Sequence, residues 1–164
     1  MNKPDRGGLN ETLTSVYLEQ FCSGADRVYR LAFSACLDLI AAQKVVEQVF
    51  RSVADELARL SPDSDADILL LKLSWPLIKS LKTTQRITSG GSILDALAAM
   101  PLEARVTVTA IDVLGLSREE MAEVFGWKEA DWRKYLAMGR KIMLTSPVGN
   151  VELPPEEVFT DENI

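Results

Sequence analysis

Apolar residues recur through this chain with the 3.6-residue period of an α-helix, and this pattern constrains the fold more than any other feature. The first stripe contains Val28, Leu31, Ala32, Ala35 and Leu39. The second contains Val45, Val46, Val49, Phe50, Val53 and Leu57, and the third contains Leu70, Leu73, Leu77 and Leu81. Each set lies on one face of a helix, whereas no stretch alternates apolar and polar residues with the period of a strand. The sequence therefore predicts an all-α protein.

Pro76 interrupts the third apolar stripe, which continues on both sides of it at Leu73 and Leu77. A proline inside a helix removes one backbone donor and clashes with the preceding turn. We therefore expect the helix around Pro76 to be kinked or divided in two.

Residues 88–92, Thr-Ser-Gly-Gly-Ser, are small and flexible and form the one clear linker in the sequence. They separate a predicted helical domain at residues 10–87 from a second at residues 93–146, and residues 147–164 are predicted to be a flexible acidic tail. The connector from Arg86 to Ser92 spans only about 20 Å when fully extended. We therefore expect the two domains to lie close together.

The net charge of −6 comes from the end of the chain. Five of the 24 acidic residues follow Ser146 and no basic residue does, so the remainder carries 19 acids against 18 bases. A nearly neutral body can still present a local basic surface. The acidity of the whole chain therefore does not exclude nucleic-acid binding.

The complete absence of histidine excludes Ser–His and Cys–His nucleophilic sites and removes most kinds of zinc site. The acidic residues are scattered, and Gly90-Gly91 belongs to the linker rather than to a phosphate-binding loop. We therefore expect no enzymatic activity, no cofactor and no bound metal.

Residues 1–8 are polar, and no apolar run approaches the ~18 residues of a membrane span. The two cysteines, Cys22 and Cys36, fall in apolar stretches, so we expect both to be reduced core residues. Together these features predict a cytoplasmic protein that does not contact a membrane.

The second predicted domain has the layout of a helix-turn-helix, which can place its last helix in the major groove of DNA. A helix begins near Pro101 and ends at Gly115, since proline suits a first helical turn and glycine a C-terminal cap. Its apolar face contains Leu102, Val106, Ala110 and Val113. Ser117 and Glu120 have the spacing of a capping box that opens the next helix. Gly126-Trp127 then forms the turn to a final helix, whose inward face contains Trp132, Tyr135, Leu136, Gly139 and Met143.

Basic residues on the outward side of this final helix form the candidate DNA-binding surface. The set contains Arg133, Lys134, Ala137 and Lys141, with Arg140 nearby and Lys128 in the turn. Such side chains neutralise phosphates and bind guanine edges. Two interpretations stay open, because charged helix faces are also common on proteins that bind no nucleic acid. In addition, Glu129 and Asp131 near the start of the helix would repel phosphate.

Residues 96–105, Ala-Leu-Ala-Ala-Met-Pro-Leu-Glu-Ala-Arg, resemble the opening of the C-terminal, promoter-reading domain of the bacterial extracytoplasmic-function sigma factors. Residues 115–126, Gly-Leu-Ser-Arg-Glu-Glu-Met-Ala-Glu-Val-Phe-Gly, resemble that family's glycine-leucine-serine helix and the turn after it, and the spacing holds through Arg140-Lys141. The resemblance implies a sigma-region-four-like helix-turn-helix that binds the upstream promoter element. The family usually has a small hydroxyl residue and a valine where this chain has Asp131 and Trp132.

Residues 28–32 and 42–50 resemble the family's N-terminal domain, which binds the clamp of RNA polymerase, and residues 69–74 resemble its strand-opening helix. The resemblance implies a sigma-region-two-like helical bundle, with polymerase- or partner-binding residues Gln43, Lys44, Glu47, Gln48 and Lys72. The family carries Glu-Asp and Gln-Glu around its apolar doublet, where this chain has Gln43-Lys44 and Glu47-Gln48. The alternative is that these helices form only a bundle, since apolar stripes usually indicate core.

Two functions are consistent with these features. In the first, the protein is a sigma-factor-like regulator of transcription initiation, binding promoter DNA through the helix-turn-helix and the RNA polymerase core through the N-terminal domain. In the second, it is a sigma-factor mimic that binds an anti-sigma factor or another regulatory protein without binding DNA. The outward bases favour the first, whereas the short connector, Lys44 and Asp131 favour the second.

Overall fold

The computed structural model describes Cys22 and residues 24–56, 65–81 and 93–146 of the chain. These residues form helices joined by turns, with no strand among them, which confirms the predicted all-α fold. The predicted linker at residues 88–92 and the predicted acidic tail at residues 147–164 lie outside the described residues, and the domain boundaries stay predictions.

The described chain consists of α-helices and one π-helical segment. In its first part, α1 covers residues 24–36, α2 covers Leu39–Glu56 and α3 covers Ala66–Ser80. In its second part, α4 covers Ile93–Ala98, α5 covers Leu102–Val108, the π-helical segment covers Thr109–Val113, α6 covers Arg118–Phe125 and α7 covers Glu129–Thr145.

The apolar stripe of α1 is buried as predicted, except at its last member. Val28 and Leu31 are fully buried and Ala35 is almost so, whereas Leu39 is 59% exposed. The helix stops at residue 36, and Leu37 takes a positive φ of 55°, so the chain turns before Leu39. The prediction that Leu39 continues the first stripe is therefore wrong, because helical periodicity holds only while the helix is unbroken.

The helices α2 and α3 pack together through their apolar faces. In α2 the predicted stripe is buried at Val45, Val49 and Val53. The buried face of α3 contains Ile68, Leu70, Leu71, Ser74, Trp75 and Ile78. Of the predicted α3 stripe, Leu73, Leu77 and Leu81 are only half-buried. The core face of α3 is therefore rotated from the predicted one, because this helix packs on α6 as well as on α2.

Pro76 lies inside α3 without dividing it, since the helix runs unbroken from Ala66 to Ser80. Of the two outcomes predicted for this proline, a division into two helices is therefore wrong. Trp75 and Ile78 flank the proline and are buried, while Pro76 itself is exposed. Pro76 has no backbone N–H to donate, but the packing of the buried side chains before and after it holds the segment in one helix.

The packing of α3 against α6 joins the two parts of the described chain in one hydrophobic core. Trp75 lies edge-on to Phe125 and to Trp127, with ring centroids 5.1 and 5.3 Å apart. Phe125 and Trp127 stack on each other at 4.8 Å. Aromatic pairs in these arrangements stabilise a core beyond the contribution of their buried area. Trp75 is therefore the centre of the contact between the two parts.

Arg27 connects α1 to the neighbouring elements through both ends of its guanidinium. Its Nη1 pairs with Asp67 Oδ2 at 2.9 Å, and its Nη2 donates to the backbone carbonyl of Leu114 at 3.1 Å. A second ion pair joins Lys72 Nζ to Glu123 Oε1 at 3.7 Å. The Lys72–Glu123 ion pair is exposed and contributes little to stability. The Arg27–Asp67 ion pair is half-buried, so salt screens it less.

The π-helical segment changes the register of the helix that α5 begins. The Leu114 N–H donates to the Thr109 carbonyl, five residues earlier, at 2.9 Å, which is one residue wider than an α-helical turn. Val106 and Ala110 are fully buried, but Val113 is 56% exposed. The predicted apolar face is therefore correct as far as Ala110 and wrong for Val113, because the wide turn rotates the later residue outward.

Arg105 is an unusual core residue because its long cationic side chain is only 2% exposed. Its Nε and Nη1 have no hydrogen-bond partner among the described residues, and burial lowers the pKa of the guanidinium. Burial also raises the pKa of the Cys36 thiol, which is 3% exposed. Cys22, by contrast, is exposed. The core prediction is therefore correct for Cys36 and wrong for Cys22.

We expect Trp75→Ala to lower the free energy of unfolding by about 3 kcal/mol or more, because it removes a buried aromatic side chain and leaves a cavity. Denaturant unfolding followed by circular dichroism measures this change. Leu144→Ala is the control, at a side chain that is 86% exposed, and should shift the value by less than about 0.5 kcal/mol. An unchanged stability of Trp75→Ala would contradict the packing of α3 on α6.

We expect iodoacetamide to alkylate Cys22 much faster than Cys36 in the native protein. The Cys36 thiol is buried and its raised pKa leaves less of the reactive thiolate at a given pH. Mass spectrometry of proteolytic fragments after timed labelling gives the two rates, and unfolding in denaturant should bring them together. Equal rates in the native protein would place Cys36 outside the core.

Candidate nucleic-acid interface

The helix α6 begins and ends with the signals that the sequence predicts. The Glu120 N–H donates to Ser117 Oγ at 3.2 Å, and the Ser117 N–H donates to Glu120 Oε2 at 2.6 Å, which confirms the capping box. Gly126 ends the helix with a φ of +67°, a conformation that strains other residues. Lys128 then precedes α7. A short capped helix, a tight turn and a longer helix therefore follow one another, as in a helix-turn-helix.

Close contact with α5 positions α7. Gly139 is buried against α5, and a Cβ at this position would lie 3.2 Å from the Ala104 carbonyl oxygen and overlap the Val108 side chain. Glycine therefore allows the two helices to approach closely. Because this side of α7 is fixed against α5, the opposite side faces solvent.

Aromatic side chains complete the inward side of α7. The rings of Tyr135 and Trp127 lie 5.5 Å apart, which connects α7 to the turn and through it to Trp75. Trp132 is half-buried and packs against the hydrophobic core, on the inward side as predicted. The helix α7 is therefore held by contacts with α5 and with the turn after α6.

The predicted DNA-binding residues are all exposed: Lys128, Arg133, Lys134, Ala137, Arg140 and Lys141. Arg133, Ala137 and Lys141 are spaced four residues apart and follow one side of α7. Lys134 and Lys141 form no ion pair with another described residue, so their ammonium groups are available to an anion. Whether these residues contact DNA stays a prediction.

Arg140 is held by an acidic residue of the π-helical segment. Its Nε donates to Asp112 Oδ2 at 3.1 Å and its Nη2 donates to Asp112 Oδ1. This bidentate hydrogen bond, together with the negative charge of Asp112, raises the pKa of Arg140. Sequence reasoning missed Asp112, because no local pattern relates two residues that lie 28 positions apart.

Arg133 is also paired. Glu129 Oε1 forms ion pairs with Arg133 Nη2, at 2.6 Å, and with Arg118 Nη2, at 3.2 Å. The Arg133 guanidinium carbon lies 5.8 Å from the centre of the Trp132 ring. The four-residue spacing of Glu129 and Arg133 could have predicted their pair, whereas nothing in the sequence pattern points to Arg118.

The predicted partner-binding residues fall in two places. Four of them are exposed on α2: Gln43, Lys44, Glu47 and Gln48. Gln43 and Glu47 line a surface groove together with Asp26 of α1. Lys72 lies on α3, where it pairs with Glu123 of α6 instead of lining this groove. The structure therefore does not bring Lys72 together with the α2 residues.

In the part of the chain that the structure describes, no group of three or more histidine, cysteine, aspartate or glutamate residues could hold a metal ion. No helix in the same ranges is long and apolar enough to cross a membrane.

The capped α6, the glycine turn and the basic α7 together define a helix-turn-helix domain of the DNA-binding class. The family model of sigma-70 region 4 matches residues 90–143, about a third of the chain. The matched residues therefore form a sigma-70 region 4 domain, which is a domain of transcription regulation. A comparison with curated proteins finds no match.

We expect Gly139→Ala to destabilise the protein by up to about 2 kcal/mol. The added methyl group overlaps the stiff Val108 side chain, which costs roughly 1–3 kcal/mol, and the gain in helix propensity offsets about 1 kcal/mol of this cost. Thermal unfolding measures the change. Ala137→Gly, at an exposed position of the same helix, should lower stability by about 1 kcal/mol through propensity alone. A Gly139→Ala protein more stable than the native one would contradict the close contact of α5 and α7.

Proposed function

We propose that the protein is a sigma-factor-like regulator of transcription initiation. It binds promoter DNA through α7 and the RNA polymerase core through the exposed face of α2, and it acts in the cytoplasm. The observation that carries the proposal is the basic outward side of α7, which lies within the residues that match sigma-70 region 4.

The position of each residue on α7 supports a division of roles. The second helix of a helix-turn-helix enters the major groove with its N-terminal residues near the base edges. Arg133 and Lys134 lie in the first half of α7, so they reach base edges or the nearest phosphates. Ala137 is small and apolar and suits the methyl group of a thymine. Lys141 lies further along the helix, where it suits a backbone phosphate.

The exposed face of α2 supports the contact with polymerase. The groove between α1 and α2 combines the apolar Tyr29 and Val46 with the carboxylates of Asp26 and Glu47. Apolar surface provides the area that a protein partner buries, and the acids select for basic groups on that partner. Lys44 lies on the same helix and is exposed. Changing its charge by substitution therefore tests this contact.

A sigma-factor mimic is the second candidate, and the packing of α3 on α6 favours it. Trp75 packs the first part of the chain onto the helix-turn-helix. The exposed surfaces of α2 and α7 therefore belong to one packed unit. Such a unit could present a composite surface to an anti-sigma factor or another regulatory protein, without binding DNA.

Size-exclusion chromatography with the RNA polymerase core separates the two candidates. The regulator should co-elute with the core, and Lys44→Glu should change the affinity because it alters a charge within the proposed contact. Leu144→Ala, an exposed change outside that contact, should leave co-elution unchanged. A chain that binds neither the core nor promoter duplexes would be the mimic.

We expect the double change Arg133→Glu, Lys134→Glu to abolish binding to promoter duplexes at physiological salt and to flatten the salt dependence of the weak binding left at low salt. Each lost phosphate contact should reduce the slope of log affinity against log salt by about one. Gel-shift titrations over a range of salt measure both effects. The control is Lys44→Glu, Arg51→Glu, which makes the same charge change at exposed residues of α2 and should retain binding. Unchanged binding by the α7 variant would contradict its role as the recognition helix.

A further inference from the structure

The carboxylate of Glu129 occupies a position between two arginines from different helices. Its Oε1 lies 2.6 Å from Arg133 Nη2 on α7 and 3.2 Å from Arg118 Nη2 on α6. Arg118 is the first residue of α6, and Glu129 is the first residue of α7. The three side chains are accessible, with 59%, 38% and 60% exposure for Arg118, Glu129 and Arg133. We call this set the Arg118–Glu129–Arg133 cluster.

Two guanidinium groups that converge on one oxygen form a binding site for an oxyanion. Arginine binds carboxylate and phosphate oxygens with the same planar arrangement of N–H donors, so a site that accepts one accepts the other. In a helix-turn-helix complex the first helix crosses the DNA backbone while the second lies in the groove. A phosphate close to the starts of α6 and α7 would therefore meet both arginines.

We propose that Glu129 occupies the place of a DNA phosphate in the free protein and that the DNA backbone displaces it on binding. This inference rests on the proposed DNA-binding function and adds a residue that sets its strength. The partner is one phosphate of duplex DNA, held by Arg118 and Arg133 together. Glu129 is the competing group, and it reduces the affinity for DNA without contacting it.

The accessibility of the cluster makes this exchange feasible. Ion pairs between exposed side chains contribute little stability, so a phosphate can replace the carboxylate at low cost. The Trp132 ring beside Arg133 keeps its guanidinium near the site when Glu129 leaves. With Glu129 present, the two positive charges of the arginines are offset by one negative charge. Removal of the Glu129 charge should therefore strengthen the contact of the two arginines with one phosphate.

The test is the binding of Glu129→Gln to promoter duplexes, titrated at several salt concentrations. Glutamine keeps the size of the side chain and removes its charge. We expect binding to become several-fold tighter and the slope of log affinity against log salt to steepen by about one. The matched control is Glu119→Gln, an exposed acid on α6 that pairs with no other described residue. It makes the same charge change and should tighten binding much less.

A second variant tests the participation of Arg118. If both arginines bind the phosphate, Arg118→Ala in the Glu129→Gln background should remove most of the gain in affinity. Unfolding curves of all variants establish that each is folded. Equal affinity gains from Glu129→Gln and Glu119→Gln, or a gain that persists without Arg118, would overturn the cluster as a phosphate site.

These outcomes are distinct from failure of the proposed function. If Arg133→Glu, Lys134→Glu abolishes binding while Glu129→Gln behaves like Glu119→Gln, α7 still binds DNA and only the role of Glu129 is wrong. If the native chain and Glu129→Gln both fail to bind promoter duplexes, both proposals are wrong. Tighter binding by Glu129→Gln that depends on Arg118 supports both.

Discussion

The contact of Trp75 with Phe125 and Trp127 is the interaction on which the rest of the structure depends. Trp75 comes from α3, Phe125 ends α6 and Trp127 lies in the turn, so one aromatic cluster connects the first part of the chain to the helix-turn-helix. Trp127 also contacts Tyr135 of α7. The direction of α7 is therefore fixed partly by a helix outside the sigma-70 region 4 match, because α3 supports the turn from which α7 starts.

The basic surface on this scaffold is divided into paired and unpaired cations. Arg133 and Arg140 each form an ion pair, with Glu129 and Asp112 respectively. Lys134 and Lys141 form no ion pair with another described residue. Since the arginine pairs are exposed, they contribute little to stability and mainly determine where the guanidinium groups lie. Arg105 is the opposite case, because its burial in the core makes its charge unfavourable and lowers the pKa of its guanidinium.

Local signals predicted the helix-turn-helix well because each depends on residues within one helical turn. The Ser117–Glu120 capping box, the left-handed Gly126 and the exposed side of α7 all follow from spacings of one to four residues. The predictions for Leu39 and Val113 are wrong because a positive φ at residue 37 and a π-helical turn break the period on which they rest. The spacing of apolar residues predicts neither the positive φ nor the π-helical turn.

The sequence by itself determined the helices, the caps of α6 and the side of α7 that carries its bases. Only the tertiary structure decided that α3 packs on α6, that Asp112 holds Arg140, and that Arg118 and Arg133 share Glu129. It also placed Lys72 beside Glu123 instead of in the groove of α2. The physical reason is the range of the interactions. Helix formation and capping depend on neighbours along the chain, whereas these contacts join residues that only the packing of separate helices brings together.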